Sequence, residues 1–261
     1  MSTEWIKERA SVVTGASSGL GRALALELVG RGLTVAGIGR DAERLEQTRA
    51  LAAAQSGPGH FHPFPLDISD AEAVAAEFAR IEDRLGPIAL LINNAAVHPR
   101  QDFLDETPES FMQGIRNNLG GTVACTHAAL RSMTQTGQGR IVNVISFADQ
   151  RPDPACGVYA VSKGAIRIFS RALVADLADR FPRIVLSDWA PGILATGMGR
   201  SDGIPPEQAA KWGATLALWH DPMLNGMTFD RDQQLLPPQS LGQRLKRRMM
   251  LRGPVRPLRL D

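Results

Sequence analysis

The chain has 261 residues, 44% hydrophobic and 21% charged, a composition that excludes collagen-like, disordered and disulfide-stapled proteins. No apolar run reaches the roughly 18 residues that a membrane-spanning helix needs, and the N-terminal segment lacks the apolar core of a secretory signal. Two cysteines, Cys125 and Cys156, are too few for a disulfide framework and favour a reducing compartment. We therefore predict a cytoplasmic protein without a membrane segment.

The net charge of +2 is unevenly distributed along the chain. From Pro237 onward there are seven basic residues and one acid, which leaves 22 basic and 26 acidic residues in 1–236. We therefore predict one domain over 1–236 and a basic C-terminal tail over 237–261. The mildly acidic body gives no sign of a nucleic-acid surface, so we expect no nucleic-acid partner.

Short apolar runs alternate with amphipathic stretches along the body. Runs this short and nearly unbroken are typical of strands covered on both faces. The predicted strands are Ser11–Thr14, Thr34–Ile38, His60–Leu66, Ile88–Ile92, Ile141–Ile145 and Ile184–Leu186, and the predicted helices are Leu20–Arg31, Ala42–Ala54, Asp70–Leu85, Glu109–Met133 and Val158–Phe181. This alternation predicts an α/β fold: a single doubly wound, Rossmann-like domain with a parallel sheet flanked by helices on both faces.

Two helix starts carry local signals. Ser69, with Glu72 three residues later, has the pattern of a capping box. Thr107-Pro108 places a proline at the first helical position.

The first strand runs into a glycine-rich segment, Thr14–Gly21, and a helix follows. Glycines there allow a tight turn and the close approach of a pyrophosphate to the amides of the helix N-terminus. An ordinary glycine turn is the alternative, but the strand before and the helix after are the context that dinucleotide binding requires. The absence of a Gly-Lys-Ser/Thr ending argues against a nucleoside triphosphatase.

Tyr159 is the only tyrosine, and Lys163 follows it by four residues, so the two side chains share one face of a helix. A free phenol has a pKa of about 10, and a neighbouring ammonium lowers it, which makes a usable acid and base. Ser146, at the end of a predicted strand, is placed to donate to a substrate carbonyl oxygen. Taken singly, a surface ion pair and an ordinary strand-end serine remain the alternatives.

Together these motifs resemble the short-chain dehydrogenase/reductase family over roughly 10–229. The resemblance is carried by six motifs in the order and spacing of the family: Thr14–Gly21, Asp67 in Leu-Asp-Ile-Ser-Asp, Asn93-Asn94-Ala95-Ala96, Asn118, Ser146 with Tyr159-x-x-x-Lys163, and Pro191-Gly192 with Thr196.

The resemblance implies a role for each matching residue. Tyr159 would be the proton donor in reduction or the base in oxidation, and Lys163 would hold the nicotinamide ribose and lower the tyrosine pKa. Ser146 would orient the carbonyl, and Asn118 would anchor a water relay behind the lysine. The implied cofactor-binding residues, besides Tyr159 and Lys163, are Gly15, Ser17, Ser18, Gly19, Leu20 and Gly21 at the pyrophosphate, Asp67 and Ile68 at the adenine, Asn94 and Ala95 on the ribose side, and Pro191, Gly192 and Thr196 at the nicotinamide.

The end of the second predicted strand favours NADP(H) over NAD(H). An NAD-binding site places an acidic residue there to accept the ribose hydroxyls, whereas this chain has Gly39. Arg40 follows, and its guanidinium can bind a 2′-phosphate through two hydrogen bonds. The alternative is that Arg40 is a solvated charge that opens the next helix.

Two departures from the family pattern stand out. Ala96 replaces a glycine and adds a methyl group near the cofactor, which we expect to be tolerated. The final strand lacks the usual Asp-Gly-Gly ending and reads Asn225–Arg231, which leaves the family's tetramer contact in doubt.

Several other candidates receive no chemical role. His60 and His62 alternate in an apolar strand without ligand partners, so we predict a structural role and no metal site. Cys125 is expected to be a small buried hydrophobe. His98 and Cys156 lie in loops expected beside the substrate, and contact with substrate is all that we assign to them.

The sequence therefore predicts an oxidoreductase that moves hydride between NADP(H) and a ketone or secondary alcohol, with a bulky secondary metabolite as the suggested substrate. A dinucleotide-binding regulator and a lyase or epimerase on the same scaffold are the alternatives. We expect a small-molecule substrate, no membrane partner, and a homodimer or homotetramer.

Overall fold

A computed structural model of the chain describes residues 4–236 and 256–260. Strands and helices alternate through the described residues. The strands are β1 Ala10–Thr14, β2 Thr34–Gly39, β3 His60–Pro65, β4 Ile88–Asn93, β5 Gly139–Val144, β6 Ile184–Ala190, β7 Met227–Asp230 and β8 Gln233–Gln234, and the helices are α1 Gly19–Gly30, α2 Ala42–Ala53, α3 Ala71–Leu85, α4 Pro108–Ile115, α5 Gly121–Thr136, α6 Gly157–Leu177 and α7 Pro206–Leu218.

The eight strands form one sheet in the order β3-β2-β1-β4-β5-β6-β7-β8. Strands β1 to β7 are parallel, and β8 pairs with β7 in the antiparallel direction. The chain winds outward in one direction from β1 to β3 and in the other from β4 onward. The point where the winding reverses, between β1 and β4, opens a crevice at the carboxyl ends of the strands. The predicted fold class is confirmed.

Helices cover both faces of the sheet because the inner strands, such as β1 and β4, are apolar on both sides. Val12 packs in the cluster under α3, α5 and the end of α6, whereas its neighbour Val13 packs in the cluster under α1, α2 and α7. Leu91 and Ile92 divide between the same two clusters. Burial on both sides explains why the strands read as continuous apolar runs.

Two local predictions need correction. The predicted helix over 109–133 is two helices, α4 and α5, joined by a π-helical turn at Arg116–Gly120. The capping residue of α3 is Asp70, which accepts hydrogen bonds from the backbone N–H groups of Glu72 and Ala73, and not Ser69. A carboxylate one residue later in the chain thus takes over the capping role. The start of α4 at Thr107-Pro108 is as predicted.

The last described residues return to the sheet edge. Arg259 pairs with Gln233 of β8, and the Leu260 N–H donates to the Asp232 carbonyl oxygen at 2.8 Å. The Leu260 side chain is 1% exposed and belongs to the core. The end of the predicted tail therefore packs on its own subunit mainly through backbone pairing and an apolar side chain. The rest of the predicted tail, 237–255 and Asp261, lies outside the described residues.

Within 4–236 and 256–260, no helix is both long and apolar enough to cross a membrane. The same residues contain no group of three or more His, Cys, Asp and Glu side chains arranged to hold a metal ion.

Candidate active site

A single large cleft of about 1510 Å³ opens along the carboxyl ends of the central strands. Its walls come from the loops after β1, β2, β3, β4, β5 and β6. Every cofactor-binding residue predicted from the sequence lines it, as do Ser146, Tyr159 and Lys163. Among the predicted residues Asn118 alone lies behind the wall and not on it.

The loop between β1 and α1 has room for backbone only. Gly15 and Gly19 have positive φ angles, +72° and +51°, which side chains disfavour. A Cβ at Gly21 would collide with the Gly15 carbonyl oxygen. A Cβ at Gly15 would lie 2.8 Å from the side-chain nitrogen Nδ2 of Asn94. This open cradle, placed at the N-terminus of α1, fits a pyrophosphate.

Neighbouring side chains hold the cradle in place. The Thr14 hydroxyl accepts from the backbone N–H groups of Asn94 and Ala95, both at 3.0 Å. The Asn94 side chain donates to the Thr14 carbonyl oxygen at 2.9 Å. Arg22 donates to the Ser17 carbonyl oxygen at 2.6 Å. Asn94 therefore braces the loop as well as lining the cleft.

One end of the cleft carries two guanidinium groups. Arg40 is exposed directly after the buried Gly39 and has no hydrogen-bond or ion-pair partner in the described parts of the chain. Arg44, in the first turn of α2, also lines the cleft, and its Nε lies 3.2 Å from Asp41 Oδ2. The sequence analysis missed Arg44, although the phosphate-binding pattern of strand end followed by helix start points to the first turn.

Asp67 and Ile68 form the side wall at this end. Asp67 Oδ1 accepts from the Ser69 backbone N–H at 3.0 Å, which shapes the turn after β3. The Ile68 side chain packs so closely on Gly121 that a Cβ at Gly121 would lie 2.5 Å from Ile68 Cδ1. This wall is therefore apolar at Ile68 and rigidly supported by α5.

At the other end, Ser146, Tyr159 and Lys163 come together. The Lys163 ammonium lies 5.7 Å from the centre of the Tyr159 ring and donates to the Val144 carbonyl oxygen at 2.6 Å. Ser146 Oγ accepts from the Ala148 backbone N–H at 3.1 Å, which leaves its O–H free to donate. The helical face shared by Tyr159 and Lys163 is turned toward the strand end that carries Ser146.

Burial shifts the pKa values of two groups at this end. Burial raises the pKa of Tyr159 above its ordinary value, and the hydrogen bond with Ser146 offsets this only in part. Burial also lowers the pKa of Lys163, to about 8. Burial is thus the largest influence on the pKa of Tyr159 in this structure, and the expectation that Lys163 lowers that pKa stays a prediction.

Asn118 lies in the π-helical turn, and both its side-chain oxygen and its side-chain nitrogen form hydrogen bonds. Its Oδ1 accepts from the Val97 N–H at 2.7 Å, and its Nδ2 donates to the Val97 carbonyl oxygen and to Ser162 Oγ, both at 2.9 Å. These contacts tie the loop after β4 to α6. The water relay implied for this residue stays a prediction.

The loop after β6 forms a further wall of the cleft. Pro191 is buried, and Gly192 has a φ angle of +87°. Thr196 reaches the glycine loop, where its Cγ2 would lie 3.4 Å from a Cβ at Gly19. Leu194 pairs with Ile204, so the residues between them form a short turn before α7.

The chain is similar to several known proteins. The family model described as short chain dehydrogenase matches residues 9–204. The 3beta-hydroxysteroid dehydrogenase of Mediterraneibacter gnavus is 33% identical over 66% of this chain and 62% of its own length, so the match spans less than two thirds of that relative. The sulfoacetaldehyde reductase of Chromohalobacter salexigens is 34% identical over 83% of this chain and 85% of its own length.

A solved structure shares the fold. A metagenomic short-chain oxidoreductase in complex with NADP superimposes with a TM-score of 0.76, at 24% identity, over 92% of this chain and 100% of that one. Sequence and architecture agree, and the chain belongs to the short chain dehydrogenase family.

Proposed function

We propose that the protein is an NADP(H)-dependent oxidoreductase that acts on a ketone or a secondary alcohol. The observation that carries this proposal is the meeting of Ser146, Tyr159 and Lys163 in the same cleft as the glycine loop. A bound nicotinamide dinucleotide would supply or accept the hydride, and the protein would orient the substrate and move the proton.

Different side chains orient the substrate and move the proton. The Ser146 hydroxyl donates to the substrate oxygen, and the Tyr159 hydroxyl gives its proton to that oxygen in reduction and recovers it in oxidation. Lys163 keeps its ammonium between the Val144 carbonyl oxygen and the cofactor side of the cleft. Asn118 holds the loop after β4 against α6.

The raised pKa of Tyr159 keeps the phenol protonated near neutral pH, which is the form that reduction uses. Oxidation needs the phenolate and therefore becomes easier as the pH rises.

The preference for NADP(H) is proposed from the charges at the end of the cleft that Arg40 and Arg44 line. Gly39 brings no carboxylate to the end of β2, and the carboxylate of Asp41 is held by the Arg44 backbone N–H and side chain. Arg40 is left without a partner among the described residues and is free to bind a 2′-phosphate.

A bulky substrate is proposed from the shape of the other end. The turn between Leu194 and Ile204 is closed on itself, because the Arg200 N–H donates to the Leu194 carbonyl oxygen at 3.0 Å. Within residues 4–236 and 256–260, no long lid covers the cleft beside Tyr159. A relative named for a 3β-hydroxysteroid supports a polycyclic ketone as the first class to test.

The test is an assay with a panel of steroid, polyketide-like and small aliphatic ketones, in which NADPH absorbance and product formation are both followed. Consumption of NADPH in step with alcohol formation is the expected result. Binding of NADPH without turnover of any substrate would favour the regulator. Conversion of substrate without net NADPH change would favour a lyase or epimerase.

A further inference from the structure

The imidazole of His98 lies flat against the phenol of Tyr159. The ring centres are 4.3 Å apart and the planes are inclined by only 24°. Ring pairs that are this close and nearly parallel stabilise one another beyond the area that they bury. One face of the candidate proton donor is therefore covered by another residue of this chain and not by solvent.

His98 is itself held from two sides. Its Nε2 lies 3.1 Å from Cys156 Sγ, and Cys156 is buried. The preceding residue, Val97, forms two backbone hydrogen bonds with the Asn118 side chain. The backbone next to His98 and the Nε2 atom of its ring are thus both held by contacts. A side chain that positions another one needs such support.

The loop that carries His98 is joined to the start of α6 a second time. The Gln101 backbone N–H donates to the Ala155 carbonyl oxygen at 3.1 Å. Because Cys156 directly precedes α6, which carries Tyr159, the histidine, the thiol and the phenol form one connected unit. A change at His98 therefore acts on Tyr159 directly.

The surroundings of this unit favour the neutral imidazole. Burial and the nearby Arg100 lower the pKa of His98, and Asp153 opposes them to a smaller extent. Lys163 and Ser146 also lie next to the phenol. A neutral imidazole adds no charge to the phenol and acts by covering it.

We propose that His98, held by Cys156, is a positioning residue that fixes the ring of Tyr159 and keeps water from one face of it. The proposal rests on the proposed function only in taking Tyr159 as the proton donor. It predicts that the aromatic ring at residue 98 covers the phenol, and that the contact between Nε2 and Cys156 holds that ring in place.

The experiment uses the fact that Tyr159 is the only tyrosine of the chain. Tyrosinate absorbance, or NMR of the full-length protein with labelled tyrosine, then reports on this ring alone. The variants are His98→Ala, His98→Phe and Cys156→Ala, with His60→Ala, an exposed histidine of β3, as the matched control. Each is assayed for kcat, for the KM of the cofactor and for the pH at which Tyr159 ionises.

His98→Ala is expected to lower kcat about tenfold, the scale of one aromatic pair, with the cofactor KM unchanged. It should also lower the pKa of Tyr159 toward the ordinary value, since the uncovered phenol is better hydrated. His98→Phe keeps an aromatic ring but loses the contact with Cys156, so His98→Phe and Cys156→Ala should both fall between His98→Ala and the wild type. His60→Ala should match the wild type.

Equal titration of Tyr159 in the wild type and in His98→Ala would overturn the proposal, and so would equal losses in the Ala and Phe variants. If His98→Ala does not fold, the tyrosine signals of Cys156→Ala and His98→Phe still decide the matter. Failure of the proposed function is seen separately, as activity that survives Tyr159→Phe, and it leaves the tyrosine titration valid.

Discussion

Arg167 and Asp149 form a two-point ion pair behind the candidate acid–base site. Arg167 Nε lies 2.7 Å from Asp149 Oδ2, Nη2 lies 3.1 Å from Oδ1, and the two side chains are 9% and 13% exposed. The same guanidinium donates to the Ser146 carbonyl oxygen at 3.2 Å. Because Asp149 ends the short turn that Ser146 begins, this pair anchors the serine to α6.

Replacement of Arg167 should therefore affect catalysis through Ser146. An amine cannot make the two parallel contacts and the third one to the backbone, so Arg167→Lys should lower kcat about tenfold, the value of one charge-assisted hydrogen bond. The cofactor KM should stay unchanged. Arg180→Lys, an exposed change just beyond α6, serves as the control. A kcat equal to that of the wild type would show that Ser146 is held by other contacts.

Tyr159→Phe tests the proton donor. The substitution keeps the ring stacked on His98 and removes only the hydroxyl, so turnover should be abolished while NADPH binding, measured by fluorescence titration, stays nearly intact. More than a tenth of the wild-type rate would place the acid elsewhere.

The ratio of kcat/KM for NADPH to kcat/KM for NADH tests the roles of Arg40, which follows β2, and Arg44, in the first turn of α2. Loss of a charge-assisted contact of about 1.5–3 kcal/mol corresponds to roughly ten- to a hundred-fold in kcat/KM for NADPH. Arg40→Ala should reduce the preference by this amount, and Arg40→Ala combined with Arg44→Ala should remove it. Gly39→Asp should also favour NADH, although its Cβ would lie 3.2 Å from Ser17 Oγ and requires a small shift. Equal efficiency of the wild type with both cofactors would contradict the proposal.

Asp188 should make the free energy of unfolding fall as the pH rises, the opposite of the effect of a carboxyl group with a lowered pKa. Burial raises the pKa of this carboxyl to about 6, from 3.8, although Ser170 donates to it at 2.6 Å. A carboxyl whose pKa is higher in the folded protein than in the unfolded chain binds its proton more tightly when folded, which stabilises the folded state at a pH below the unfolded-state pKa. That stabilisation is lost as the pH rises through about 6. Relative to Asp188→Asn, the wild type should therefore lose up to about 3 kcal/mol of unfolding free energy between pH 4 and pH 7.

The comparison is made by urea denaturation of both proteins at several pH values. Subtraction of the variant removes the titration of all other carboxylates that the two proteins share. A difference that is independent of pH would mean that Asp188 ionises in the folded protein as it does in the unfolded chain.

Helix α6 presents an apolar outer stripe that should pair two subunits. Val161 and Ile168 are 53% and 60% exposed and lie seven residues apart on one face. Apolar side chains at this spacing are suited to an isologous contact across a two-fold axis. We predict at least a dimer in light scattering at micromolar concentration, and its conversion to monomer by Ile168→Glu. A monomeric wild type would refute the prediction.

Much of the fold was predictable from short-range pattern alone. Strands buried on both faces form nearly continuous apolar runs, and the helices between them are amphipathic, so the alternation of β1–α1–β2 and its successors is visible without any contact map. The glycine loop was equally visible, because its backbone requirements act on single residues such as Gly15 and Gly21.

Other features depend on contacts between residues distant in the chain, and only the tertiary structure decided them. The stacking of His98 on Tyr159, the contact of Arg167 with Ser146, and the return of Leu260 to the core join segments with no common sequence pattern. The same holds for the pKa of Tyr159. The spacing to Lys163 indicated a nearby cation, but the direction of the shift was set by burial, which depends on everything packed around the ring.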